Sequence, residues 1–141
     1  FDNGQGELSD AASALDWLQT QNPNTPICWI AGFSFGAWIA MQLMMRRPEI
    51  SGFISIAPPA SIYDFSFLAP CPASGLIVHG DKDELVPLAA VNKLTQKLSA
   101  QKNIKIEYRV IEGADHFFAS RGDELTAVVD TYLTRALAKA A

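Results

Sequence analysis

The motif G-F-S-F-G at positions 32–36 constrains this chain most, because it joins two apolar segments of different pattern. The segment at 27–33 carries no charge and is typical of a strand that is buried on both faces. The segment at 37–45 is apolar on most sides and is typical of a buried helix. We therefore predict a sharp strand-to-helix turn that exposes the hydroxyl of Ser34. The glycines on either side are small enough to let that turn close.

The rest of the chain alternates between helix and strand patterns. Apolar spacing predicts helices over 7–20, from the serine turn to Arg47, from Pro87 at a first helical position through 98, and over 125–137. Strands are predicted over 27–33, 50–57, 75–79 and 104–110, the last alternating apolar with charged residues as an edge strand does. This order predicts one domain over 1–141, an α/β protein with three α/β/α layers and a mostly parallel sheet.

Composition excludes several classes of function. The 141 residues carry a net charge of −4 without a basic stripe, which argues against a nucleic-acid partner. The longest apolar stretches fall short of the roughly 20 residues that span a bilayer, so no membrane partner is expected. Cys28 and Cys71 lie in or beside apolar segments and are expected to be free, inert thiols, which favours a cytoplasmic location.

A serine hydroxyl attacks a carbonyl only when a base takes its proton, and the chain has two histidines. His116 follows the fourth predicted strand, so it shares a sheet edge with Ser34 in a parallel sheet. His79 ends a strand, and we expect a packed structural role for it. The loop after the third strand offers Asp81, Asp83 and Glu84 as the acid that orients the base. Asp115, beside His116, is interpreted as a loop carboxylate.

The segments G-F-S-F-G, H-G-D-K-D-E-L-V-P and G-A-D-H-F-F, in this order, resemble the α/β-hydrolase superfamily and its small bacterial, dienelactone-hydrolase-like serine hydrolases. The resemblance covers the chain from Glu7 onward and implies Ser34 as nucleophile, Asp83 as acid and His116 as base. It implies no cofactor and no metal. Dienelactone hydrolases themselves use a cysteine nucleophile, so lactone specificity does not carry over to this chain.

The remaining site residues are predicted from their positions. The backbone N–H of Phe35, the residue after the nucleophile, is expected to be one oxyanion-hole donor, and a second donor would come from an earlier strand. Tyr63 and Phe65 in the connection at 58–73 either line a substrate pocket or cover the sheet. About 16 residues are too few for a folded cap, so we expect an open site for small soluble esters.

The sequence begins at Phe1 without a methionine, and residues 2–6 are interpreted as a loop. We expect a piece of a longer hydrolase, in which the strand that begins at Ile27 and ends at Phe33 pairs with the missing N-terminal half or with a second copy of the chain. The expected activity is hydrolysis of carboxylic esters. A small peptidase or acyltransferase with the same triad, and a non-catalytic fragment or scaffold, are the alternatives.

Overall fold

The computed structural model describes residues 3–140, which form four strands and four α-helices in alternating order. The helices are α1 (Gln5–Gln21), α2 (Phe35–Arg46), α3 (Leu88–Ser99) and α4 (Gly122–Ala140), and the strands are β1 (Trp29–Phe33), β2 (Gly52–Ile56), β3 (Gly75–Gly80) and β4 (Ile106–Ile111). Every predicted element is present. Of the loop predicted over 2–6, residues 3 and 4 form a turn, α1 begins at Gln5, and Asp2 lies outside the described residues.

The four strands form one parallel sheet in the order β1-β2-β3-β4. Ile30 is aligned with Phe53, Phe53 with Gly75, and Gly75 with Ile106. Every residue of β3 is buried, including His79. Because all strands run the same way, their carboxyl ends and the loops that follow them lie at one edge of the sheet.

Two apolar cores lie on opposite faces of the sheet. The larger core joins α1, α2 and α3 to one face through buried side chains such as Met41, Phe53 and Val91. The smaller core joins α4 to the other face through side chains such as Leu76 and Tyr132. These three layers confirm the α/β/α fold predicted from the sequence.

Three details differ from the sequence predictions. Ala31 and Phe33 in β1 are exposed, so the predicted burial of both strand faces is wrong: β1 is an outer strand of the sheet in the described part of the chain. Its edge position follows from the sequential strand order. Val110 in β4 is also exposed. Pro87 is the N-cap of α3 and not its first helical residue, a shift of one position.

An exposed polar network ties α1 to the loop between α2 and β2. Arg47 lies 2.8 Å from the carboxylate of Asp16 and 2.7 Å from that of Glu49, and Gln19 donates a further hydrogen bond to Glu49. The hydrogen bonds from Arg47, and then from Gln19, lower the pKa of Glu49 to about 2. Glu49 therefore stays ionised in the folded protein far below the pH at which a free glutamate takes up a proton.

The connection between β2 and β3 contains a short 3₁₀ helix, Ser66–Leu68, and packs closely on the larger core. Phe65, Leu68 and Cys71 are buried there, and burial raises the pKa of the Cys71 thiol. The connection therefore covers the sheet without forming a separate cap domain. Within residues 3–140, no helix is both long and apolar enough to cross a membrane.

Candidate active site

Ser34 lies at the tight turn between β1 and α2, with φ 53° and ψ −121°. A non-glycine residue in this region of backbone space is strained and is held there by its surroundings. The Ser34 N–H donates to the carbonyl of Ile56 in β2, and the Ser34 carbonyl accepts the N–H of Ala37 in α2. The serine is thereby anchored to the sheet on one side and to the helix on the other.

The two glycines of the motif differ in how much room they have. A Cβ on Gly32 would lie 2.4 Å from the carbonyl oxygen of Gly36, so only glycine fits at position 32. A Cβ on Gly36 would meet no described atom within 4 Å. The prediction that small residues on both sides let the turn close is therefore confirmed for Gly32 and wrong for Gly36.

Three side chains from three loops at the carboxyl edge of the sheet form one chain of hydrogen bonds. The Nε2 of His116 lies 2.7 Å from Ser34 Oγ, and its Nδ1 lies 2.6 Å from Asp83 Oδ2. An ionised carboxylate only accepts, so Nδ1–H donates to Asp83 and Nε2 accepts the Ser34 hydroxyl proton. The structure thus brings together the three residues that the sequence analysis selected, in the tautomer that a general base needs.

Asp83 is held by its own loop as well as by His116. Its side chain is fully buried, and Oδ1 accepts the backbone N–H groups of Leu85 and Val86 at 2.8 Å each. Of the alternative acids, Asp81 instead accepts the N–H of Gly113 at 2.7 Å, and Glu84 is exposed. The geometry therefore favours Asp83 as the partner of His116.

The loop that carries His116 is shaped by Asp115. The Asp115 Oδ1 accepts the N–H of Phe117 at 3.1 Å and that of Ala119 at 2.9 Å, and Phe118 turns back into the smaller core with φ 56°. Asp115 thus acts as the loop carboxylate that the sequence analysis expected. The buried Phe118 anchors the loop so that His116, only 5% exposed, faces Ser34.

Two aromatic rings beside His116 were missed by the sequence analysis. Phe33 and Phe117 lie with ring centroids 5.5 Å and 5.1 Å from the imidazole, and 6.1 Å from each other. Phe33 is 41% exposed and Phe117 is 68% exposed. Exposed phenylalanines next to His116 form an apolar surface on which an apolar group of a ligand can pack. Their positions in the motifs, one residue before Ser34 and one after His116, were the available signal.

The other predicted site residues lie on the α2 side of the motif. Phe35 is the first residue of α2, at the end of the helix whose partial positive charge stabilises an anion. Tyr63 stacks on Trp38 at 4.3 Å and lies 5.6 Å from Phe35. Phe65 is buried in the larger core and stacks with Phe67. A role for Tyr63 and Phe65 in substrate binding stays a prediction.

A groove of about 250 Å³ lies between this connection and α3, and Tyr63, Phe65 and Lys93 are among its lining residues. Ser34, Asp83 and His116 do not line it. No three His, Cys, Asp or Glu side chains of residues 3–140 are grouped as a metal site requires. The hydrogen bonds from Asp83 through His116 to Ser34 form an arrangement that can activate a serine hydroxyl.

Comparison with known proteins places this chain in a family. The model of the dienelactone hydrolase family matches residues 2–141. The uncharacterized protein RP471 of Rickettsia prowazekii is 55% identical over an alignment of 137 residues, and the match covers 94% of this chain and 58% of that protein.

Two solved structures extend the similarity to the fold. A protein of unknown function from Agrobacterium tumefaciens is 59% identical with a TM-score of 0.96, over 99% of this chain and 64% of that one. A member of the α/β serine hydrolases without a lid, from Xanthomonas campestris, is 32% identical with a TM-score of 0.84, over 96% of this chain and 59% of that one. The chain thus spans about three fifths of the length of these relatives. On the family match and on these likenesses, the chain belongs to the dienelactone hydrolase family and has the α/β-hydrolase fold.

Proposed function

We propose that this protein is a serine hydrolase that cleaves small carboxylic esters through an acyl-enzyme. The observation that carries the proposal is the continuous hydrogen-bonded chain Ser34–His116–Asp83, with distances of 2.7 and 2.6 Å. His116 Nδ1 faces the Asp83 carboxylate and Nε2 faces the Ser34 hydroxyl, which is the orientation that a general base needs. The family match supports hydrolysis as the class of reaction.

The proposed mechanism uses these three side chains and one backbone N–H. Ser34 Oγ attacks the ester carbonyl while His116 Nε2 takes its proton, and Asp83 stabilises the imidazolium that forms. The N–H of Phe35 at the start of α2 donates to the developing oxyanion. His116 then gives the proton to the leaving alcohol as the carbon–oxygen bond breaks. Water then attacks the acyl carbon as His116 takes its proton. The bond from that carbon to Ser34 Oγ breaks, and His116 returns the proton to Oγ, which releases the acid and restores Ser34.

The surroundings of His116 bear on the substrate. The alcohol part of the ester must lie beside His116, because that residue supplies its proton, and the rings of Phe33 and Phe117 border the imidazole there. An apolar or aromatic alcohol would pack on those rings. The connection at 58–73 forms no cap over the site, which favours small, freely diffusing esters.

Hydrolysis of p-nitrophenyl acetate tests the proposal. We expect turnover by the protein, loss of several orders of magnitude in kcat for Ser34→Ala, and unchanged turnover for Ser61→Ala, an exposed serine outside the hydrogen-bonded chain. Equal rates for the protein and Ser34→Ala would contradict the assignment. Transfer of the acyl group to an alcohol or cleavage of an anilide, if faster than ester hydrolysis, would favour an acyltransferase or a peptidase.

The exposed outer edge of β1 favours one alternative, that the 141-residue chain is a non-catalytic fragment of a larger hydrolase. A second oxyanion-hole donor would then come from strands that pair with β1. No turnover by the 141-residue chain, together with turnover by a longer form of the protein, is the result this alternative predicts.

A further inference from the structure

His79 is the second histidine of the chain and has no role in the mechanism above. It lies next to the end of β3, four residues before Asp83, and its side chain has no exposed surface. A polar ring buried this deeply costs free energy unless its nitrogens find partners. Its contacts therefore indicate why a histidine occupies this position.

Both contacts of the His79 ring lie in the loop that carries the catalytic acid. The Nε2 lies 2.9 Å from the carbonyl oxygen of Val86 and 3.4 Å from Asp83 Oδ2. A carbonyl only accepts, so Nε2 carries the proton and donates it. The other nitrogen, Nδ1, is buried without a hydrogen-bond partner among the described residues. An apolar side chain would fill the same space without a buried, unpaired nitrogen, so filling space does not explain a histidine here.

The turn from Asp83 to Val86 is closed by two sets of hydrogen bonds. Within the turn, the N–H groups of Leu85 and Val86 donate to Asp83 Oδ1. From the sheet, His79 holds the carbonyl of the same Val86. The carboxylate is therefore tied to β3 through Val86, which leaves Oδ2 directed at His116.

The charge state of His79 suits this arrangement. Desolvation by burial lowers the pKa of His79 and outweighs the hydrogen bond to the Val86 carbonyl and the charge of Asp83, which raise it. The titratable groups whose charges act on His79 are Asp83 and His116. A neutral His79 does not form an ion pair with Asp83, so the carboxylate can form an ion pair with His116 alone. A protonated His79 would compete with His116 for that carboxylate.

We propose that His79 is a positioning residue, which holds the turn at 83–86 against β3 so that Asp83 stays aligned with His116. The proposal rests on the proposed function, since it assigns His79 a task in that triad. It predicts that loss of the His79 donor lowers kcat and the pKa of His116, in addition to any effect on folding.

Three variants at position 79 separate the donor from the bulk of the ring. His79→Gln keeps an amide N–H near the position of Nε2, whereas His79→Asn is too short to reach Val86 and His79→Leu has no donor. We expect folded His79→Leu and His79→Asn to lose about tenfold to a hundredfold in kcat for p-nitrophenyl acetate with little change in KM, because misplacement of a catalytic group by about 1 Å costs on this order. His79→Gln should recover most of the loss.

The pKa of His116 provides a readout that does not depend on turnover. The chain has two histidines, so each variant leaves His116 as the single imidazole in an NMR titration. A carboxylate partner favours imidazolium, so we expect a lower pKa of His116 in His79→Leu and His79→Asn, restored in His79→Gln, with the acid limb of the pH–rate profile moving the same way.

One result would overturn the proposal: the same His116 pKa in all folded variants, whatever happens to their melting temperatures. If His79→Leu does not fold, the comparison of His79→Asn with His79→Gln decides the question alone. Failure of the proposed function would look different: the protein would have no turnover, or Ser34→Ala would keep it, while the His116 pKa still responded to position 79.

Discussion

Alanine at position 32 would test how the turn presents the nucleophile. The added Cβ would lie 2.4 Å from the carbonyl oxygen of Gly36, 2.6 Å from its carbonyl carbon and 2.7 Å from the Cα of Ala37. All three atoms belong to the backbone at the start of α2, so no side-chain rotation relieves the contact. The start of the helix would have to move away from β1.

The size of this movement follows from the contact distances. An ordinary van der Waals contact begins at 3.4 Å, so the helix start moves by about 1 Å, and it carries Ser34 and the N–H of Phe35 with it. Displacement of a reacting group by about 1 Å lowers a rate about a hundredfold. Overpacking of this kind costs about 1–3 kcal/mol of stability. We therefore expect a folded but slow Gly32→Ala enzyme with a reduced melting temperature.

Alanine at position 36 is the matched control, because it is the same substitution in the same motif. Its Cβ would meet no described atom within 4 Å, and the position is helical. Replacing glycine by alanine inside a helix stabilises by up to about 1 kcal/mol. Thermal melts by circular dichroism and p-nitrophenyl acetate kinetics of both variants give the comparison. Wild-type kinetics in Gly32→Ala, or equal losses in the two variants, would refute the reasoning.

Three further substitutions test other parts of the account. Asp83→Asn should lower kcat about 10⁴-fold, as the corresponding change in a serine protease triad does, while Asp81→Asn should cost far less; the reverse order would mean that the acid is misassigned. Phe117→Ala should lower kcat/KM for phenyl acetate more than for methyl acetate, and equal losses would remove Phe117 from the alcohol side. The pKa of Glu49 is lowered to about 2 from 4.5. Its contribution to the free energy of unfolding is therefore fully present above pH 4.5 and is lost as the pH falls through 2. The difference in melting temperature between the protein and Glu49→Gln at pH 7 should therefore vanish near pH 2, and a pH-independent difference would contradict the lowered pKa.

The meeting of Ser34, His116 and an acid from the loop after β3 could be predicted from the sequence because it depends on topology, whereas the choice of Asp83 over Asp81 and Glu84 came from the family resemblance. Strand–helix alternation implies a parallel sheet, and in such a sheet the loops after the strands share one edge. Each of the three residues follows a different predicted strand, so the sheet brings them together over long stretches of chain. The structure places them in direct contact. Their catalytic roles stay predictions until activity is measured.

Other features depend on packing that a pattern of residue types does not contain. The contact between His79 and the Val86 carbonyl requires the path of the loop in three dimensions, so the sequence indicated only a buried histidine. The open space at Gly36 depends on where the helix lies relative to β1. The apolar pattern of β1 indicated burial, but the exposure of an outer strand depends on what lies beside it.

The central claim is that the hydrogen-bonded chain ending at Ser34 activates that one serine. Mass spectrometry of peptides from the protein, after reaction with a fluorophosphonate, tests it most directly. We expect one phosphonylated peptide, labelled at Ser34, with labelling lost in Ser34→Ala and strongly slowed in Asp83→Asn. Labelling at another serine, or an Asp83→Asn variant that is labelled as fast as the unchanged protein, would contradict it.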